Sequence, residues 1–199
     1  MTTNLFNLTR PTPRRRISLL AIAAIGLSLL ATAVSEPGQA APSDYCNGLL
    51  KTDQVTPGVR FIGTFRDEVI VGTNQADVIE GRGGNDTICG LGDDDEIHGG
   101  ENPDWISGGA DNDHIYGYDS ADDLFGNTGN DELVGEDGDD VLRAGDGVDE
   151  LYGGNNDDVL HCGPDADTAN GGPHDDGDWL VSDTNHGCEP LSTSFVEFP

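Results

Sequence analysis

From Gly63 to Asn170 the sequence repeats itself every nine residues, twelve times in succession and without an insertion. Three consecutive units, GRGGNDTIC, GLGDDDEIH and GGENPDWIS, display the pattern of glycine at position 1, aspartate at position 6 and isoleucine at position 8. Position 6 is Asp in eleven units and Glu68 in the first. Position 8 is Ile in the first six, Leu in the next five and Ala169 in the last. So strict a period makes every unit a copy of one local structure, and the chain must coil as a solenoid. One apolar residue inside positions 7 to 9 suffices for a short strand and not for a helical face. Positions 1 to 6, rich in Gly, Asn and Asp, carry turn chemistry.

The expected architecture is therefore all-β, alternating turns and short strands with two nonapeptides per rung, and with the position 8 side chains stacked inward. Gly at position 1, in ten of twelve units, and Gly, Asn or Asp at position 4, in nine of twelve, suit turns that need positive φ. Position 6 then adds one carboxylate per turn. With rungs about 4.8 Å apart, carboxylates two units apart form a column of like charge. A hard divalent cation between rungs removes that repulsion by taking carboxylate and carbonyl oxygens. Calcium suits a variable oxygen cage better than magnesium, which keeps its waters and demands an octahedron.

The residues before the repeats divide in two. Arg10, Arg14, Arg15 and Arg16 precede an uncharged run from Ile17 to Ser35, and Gly38-Gln39-Ala40 offers a cleavage point. Residues 1–40 read as a secretory signal peptide. The whole chain holds 38 acidic residues against 9 Lys plus Arg. Removing the leader takes four arginines and Glu36, leaving 37 acids, 5 basic residues and a net charge of −32. Such a polyanion repels nucleic acid and anionic membrane and gathers cations. No membrane insertion of the mature chain is expected.

These units resemble the RTX, or haemolysin-type, calcium-binding nonapeptide G-G-x-G-x-D-x-U-x found in secreted bacterial proteins. The resemblance covers residues 63 to 170 and reaches Val181 if Gly171 to Val181 is a thirteenth unit with two extra residues. It implies a parallel β-roll, a right-handed β-solenoid, that holds several Ca²⁺ ions in its turns and folds as it binds them. By that carry-over the metal ligands are Asp77, Asp86, Asp95, Asp104, Asp113, Asp122, Asp131, Asp140, Asp149, Asp158 and Asp167. No unit keeps Gly at positions 1, 2 and 4 together with Asp at 6. Arg66 and Gln75 at position 4 make the first two units the poorest candidates, and Pro103 at position 5 distorts another.

Cys46, Cys89, Cys162 and Cys188 are an even set in an exported chain, which favours disulfides. In the roll, Cys89 and Cys162 are about four rungs apart, roughly 19 Å, beyond the reach of a bridge. The expected pairs are Cys46–Cys89 and Cys162–Cys188, stapling an N-terminal cap segment (residues 41–62) and a C-terminal one (182–199) onto the roll (63–181).

His98, Tyr116, Val134 and Tyr152 occupy position 9 of even-numbered units and should stack on one outer face. Trp105 and Phe125 lie outward on odd-numbered units and should rest under the end segments. The sequence holds no G-x-S-x-G, no H-E-x-x-H and no phosphate-cradling loop. The leading expectation is a monomeric, secreted, non-enzymatic calcium-binding protein. The alternative is a cell-surface or matrix adhesin that presents the outer face to a glycan or cell-surface partner.

Overall fold

The computed structural model describes residues 45–172, 179–181, 188–190 and 196–197. The leader, the cleavage point after Ala40 and the two extra residues of the thirteenth unit lie outside these. Among the described residues the chain forms strands and turns only, with no helix. The strands of the roll assemble into two parallel sheets, one of eight that takes the strands of the even-numbered units and one of nine that takes those of the odd-numbered units, while Tyr45–Cys46 and Leu49–Leu50 form a separate antiparallel pair. Chain order alternates between the sheets, so each rung consists of two nonapeptides.

The register follows directly from the period. Ile97 pairs with Ile79 and Ile115, and Ile106 pairs with Ile88 and Leu124, each eighteen residues away. Every position 8 side chain from Ile70 to Ala169 is fully buried between the sheets. Each buried Ile or Leu contributes on the order of 1.5–3 kcal/mol of apolar burial. The core is thus a one-residue-wide ladder, and its stability scales with the number of rungs.

Two features differ from the sequence expectation. The central strands are six residues long, as in Val78–Gly83 and Glu96–Glu101, because pairing continues past positions 7 to 9 into positions 1 to 3 of the next unit. The sheets also extend into the segment read as the N-terminal cap: Asp53–Gln54 joins the odd sheet and Phe61–Ile62 the even sheet. Parallel pairing uses backbone groups alone, so a segment without the nonapeptide signature still adds a rung. At the other end Glu189–Pro190 and Val196–Glu197 pair with the even and odd sheets.

The disulfides close as expected, Cys46 with Cys89 and Cys162 with Cys188, each at a Cα separation of 5.8 Å. Cys46, Val71 and Cys89 form a small second core outside the odd sheet, with Val69, Leu91 and Trp105 packed against it. Cys162 and Cys188 join the main core at the far end. Trp105 therefore rests against the N-terminal segment as expected. Phe125 instead packs on Trp105, with a ring centroid separation of 5.0 Å, and lies under the guanidinium of Arg143.

Candidate metal centre

The eleven position 6 aspartates occupy equivalent places, five on the odd edge of the roll and six on the even edge. All are at most 4 % exposed. Their first function is structural: from Asp77 to Asp149 the amide of each donates to Oδ1 of the aspartate one rung further on. Asp77 bonds to Asp95, Asp95 to Asp113, and Asp113 to Asp131, at 2.8–2.9 Å. The odd edge repeats this from Asp86 through Asp104, Asp122 and Asp140 to Asp158. Eighteen-residue spacing thus converts a column of like charges into a continuous hydrogen-bonded ladder.

The second carboxylate oxygen has no such partner. From Asp86 to Asp167, Oδ2 is buried and unbonded in every unit. A buried acceptor left in this state is costly, and a buried charge more so. Burial accordingly pushes Asp113 and Asp122 up to about 8, and Asp86, Asp95 and Asp104 up to about 7. Hydrogen bonds from the preceding rung's amides pull the other way, while neighbouring carboxylates reinforce the rise. Without a cation the folded roll resists carrying its own charge.

The glycine at position 1 explains where Oδ2 sits. A Cβ at Gly117 would stand on Asp122 Oδ2 and within 3.0 Å of the Gly135 carbonyl oxygen on the next rung. The same pairing recurs at Gly81, with Asp86 and Gly99, and at Gly135, with Asp140 and Gly153. Carboxylate and carbonyl oxygens from adjacent rungs therefore converge where side chains are missing. This corrects the expectation that position 1 needs positive φ: no position 1 glycine has one. Positive φ falls at positions 2 and 4 instead, including non-glycine residues such as Arg82 (81°), Tyr118 (81°) and Glu136 (79°) at position 2.

Among the described residues no three His, Cys, Asp or Glu side chains converge closely enough to hold an ion by themselves. The donor set is mixed, one buried carboxylate with backbone carbonyls, which is the oxygen chemistry of calcium rather than of a softer metal. The orphaned Oδ2 atoms and the space at position 1 fit such an ion.

A family model, the RTX calcium-binding nonapeptide repeat, matches in four copies at residues 62–97, 98–133, 125–160 and 134–169. Together these span more than half of the chain. The protein belongs to the RTX calcium-binding nonapeptide repeat family. No curated protein and no solved structure matches it. The RTX repeats here bind calcium, and their two-sheet parallel β-roll is the fold just described.

Within this RTX roll the first two units differ from the rest, and the cause lies at position 2. Position 2 is Thr64 in the first unit and Thr73 in the second. The Thr73 amide and hydroxyl both donate to Asp77 Oδ2, at 2.7 and 2.9 Å. Thr64 does the same for Glu68, its amide donating to Oε2 and its hydroxyl to Oε1. Threonine supplies there a hydroxyl donor, and with its amide it satisfies an oxygen that stays unbonded in later units. Pro103 leaves Asp104 in the ladder but removes an amide from the outer, position 5 edge. On the even edge Asp94 accepts from the Asn112 amide, Asn112 from Asn130, and Asn130 from Val148.

Proposed function

We propose that this is a secreted, non-enzymatic protein whose roll folds as calcium binds between successive turns. The observation that carries the proposal is the row of buried Oδ2 atoms without partners. The ions would be held by Asp86, Asp95, Asp104, Asp113, Asp122, Asp131, Asp140, Asp149, Asp158 and Asp167, with carbonyls of adjacent rungs completing each site. Asp77, whose Oδ2 is bonded to Thr73, would offer its buried and unbonded Oδ1 instead. Bound calcium supplies the positive charge that the ionised column needs; the chain supplies preorganised oxygens and the amide ladder that aligns them.

Coupling of folding to binding follows from linkage, since a ligand that binds only the folded state stabilises it. Cytosolic calcium is too scarce to fold the chain before export, whereas external calcium is abundant enough. The leader-like residues 1–40 and the two disulfides support an oxidising, extracellular destination.

The test is far-UV circular dichroism of the oxidised protein, first in EDTA near pH 8 and then titrated with CaCl₂ or MgCl₂. The expected result is a coil spectrum that becomes β with calcium and not with equal magnesium. A full β spectrum in EDTA, unchanged by either ion, would overturn the folding switch.

A further inference from the structure

The even sheet carries a slot on its outer face that the calcium chemistry does not use. Arg82, Gly100 and Tyr118 stand in register on three adjacent strands. Gly100 has no side chain, so Arg82 and Tyr118 form the two walls of an open groove, with the Tyr118 ring leaning over the intervening strand to His98, centroid to centroid 5.7 Å. The resulting groove measures about 440 Å³, with His98 in its lining and Glu96, Glu101 and Asp119 among its polar groups.

The aromatic wall is held in place. His98 Nδ1 lies 3.1 Å from the Tyr118 hydroxyl and Nε2 lies 2.9 Å from Glu96 Oε1. The consistent arrangement has Nε2–H donating to Glu96 and the Tyr118 hydroxyl donating to Nδ1. Behind it His98 stacks on Tyr116, with centroids 5.1 Å apart and planes within 11°. Both walls also sit at strained backbone. Arg82 and Tyr118 hold φ near 81°, where glycine is the low-energy residue. The other position 2 residues in this state include Leu91, which packs under the N-terminal segment, and Asn127, which bonds to the Phe125 and Gly126 carbonyls.

We propose that this slot binds one pyranose ring of a neutral polysaccharide, stacked on Tyr118. Arg82 has no ion pair among the described residues and offers donors; Glu101 and Asp119 offer acceptors. The Arg60–Glu80 ion pair also lines the groove, so donors and acceptors of both signs alternate around it, and a neutral polyol uses both kinds. The proposal assigns to named residues the outer-face reading of the repeats, and it requires the folded roll.

The experiment is calorimetric titration of the oxidised protein in CaCl₂ with cellohexaose, maltohexaose, mannohexaose and chitohexaose, and with hexagalacturonate as the anionic probe. Circular dichroism of the same samples separates loss of the roll from loss of the slot. Saturable binding of at least one neutral hexasaccharide is expected. Tyr118→Gly should weaken it about tenfold or more, corresponding to about 1.4 kcal/mol, and Arg82→Gly should weaken it severalfold. Both substitutions place glycine at positive φ, so they preserve the roll. Tyr152→Ala, two rungs beyond Tyr116 on the same sheet, should change nothing. No saturation by any neutral probe on a β-rich sample, binding untouched by Tyr118→Gly, or a preference for hexagalacturonate would overturn the proposal.

Discussion

The amide of Asp104 donates to Oδ1 of Asp122, 2.8 Å away and one rung further along, and the amide of Asp122 donates in turn to Asp140. One oxygen of each carboxylate is therefore consumed by the ladder that stacks the rungs, while the other is left buried and unbonded. Structure and ion binding are divided between two atoms of the same side chain.

That division can be tested by substituting one aspartate in two ways. Asp122→Asn keeps an oxygen acceptor for the Asp104 amide and removes one negative charge. It should leave cation-free stability equal or higher while lowering the number of calcium ions bound, as read by calorimetry. Asp122→Ala also removes the acceptor and strands a buried amide, costing about 1–3 kcal/mol in any condition. Equal stability losses for Asn and Ala in urea melts would show that Oδ1 is not supporting the rung.

Acid should substitute for calcium. The folded carboxyls of Asp113 and Asp122 are raised from 3.8 to about 8, those of Asp86, Asp95 and Asp104 to about 7, and those of Asp140 and Asp149 to about 6. The folded chain therefore binds protons more tightly than the unfolded chain. Its contribution to stability is complete below the unfolded value near 3.8 and is lost as pH rises through 6 to 8. In EDTA, β content should grow between pH 8 and pH 5, and calcium affinity should fall over the same range. Cation-free β content that decreases on acidification would contradict the assignment of these groups.

Much of this arrangement was legible in the sequence because the period alone dictates it. Nine-residue units stacked in pairs put Ile88 beside Ile106 and Asp104 beside Asp122 whatever the turns do. The same spacing separates Cys89 from Cys162 and leaves each to its own end. What could not be read was the reason for glycine at position 1. A missing Cβ answers equally to positive φ and to a crowded neighbour, and only the folded roll shows Asp122 Oδ2 occupying the place of a Gly117 side chain. The added rung at Asp53–Ile62 was equally invisible, since backbone pairing leaves no side-chain signature.

The two uses of glycine predict opposite signs for two substitutions on neighbouring coils. Gly117→Ala at position 1 drives a methyl into Asp122 Oδ2 and the Gly135 carbonyl, an overpacking that costs about 1–3 kcal/mol and disturbs the local ion site. Glu136→Gly at position 2 relieves a φ of 79° at an exposed residue and should stabilise the roll by about 1 kcal/mol. Thermal melts in excess calcium read both, and a destabilised Glu136→Gly protein would show that this side chain contributes more than its strain.

The N-terminal staple should report through Trp105. Its ring packs against the cluster of Cys46, Val71 and Cys89, so that surface stays dry only while the segment is held down. Cutting the bridge with Cys46→Ser and Cys89→Ser removes a constraint worth about 2–4 kcal/mol and frees the segment to lift. Trp179 is the only other tryptophan, and Trp179→Phe in both backgrounds isolates the signal. With calcium present, the expected outcome is a red shift of Trp105 emission while far-UV dichroism keeps its β signature, because the position 8 ladder from Ile70 onward does not depend on the segment. Simultaneous loss of the dichroism would mean that the roll unravels from this end, making the disulfide a condition of the fold and not a clasp on a finished one.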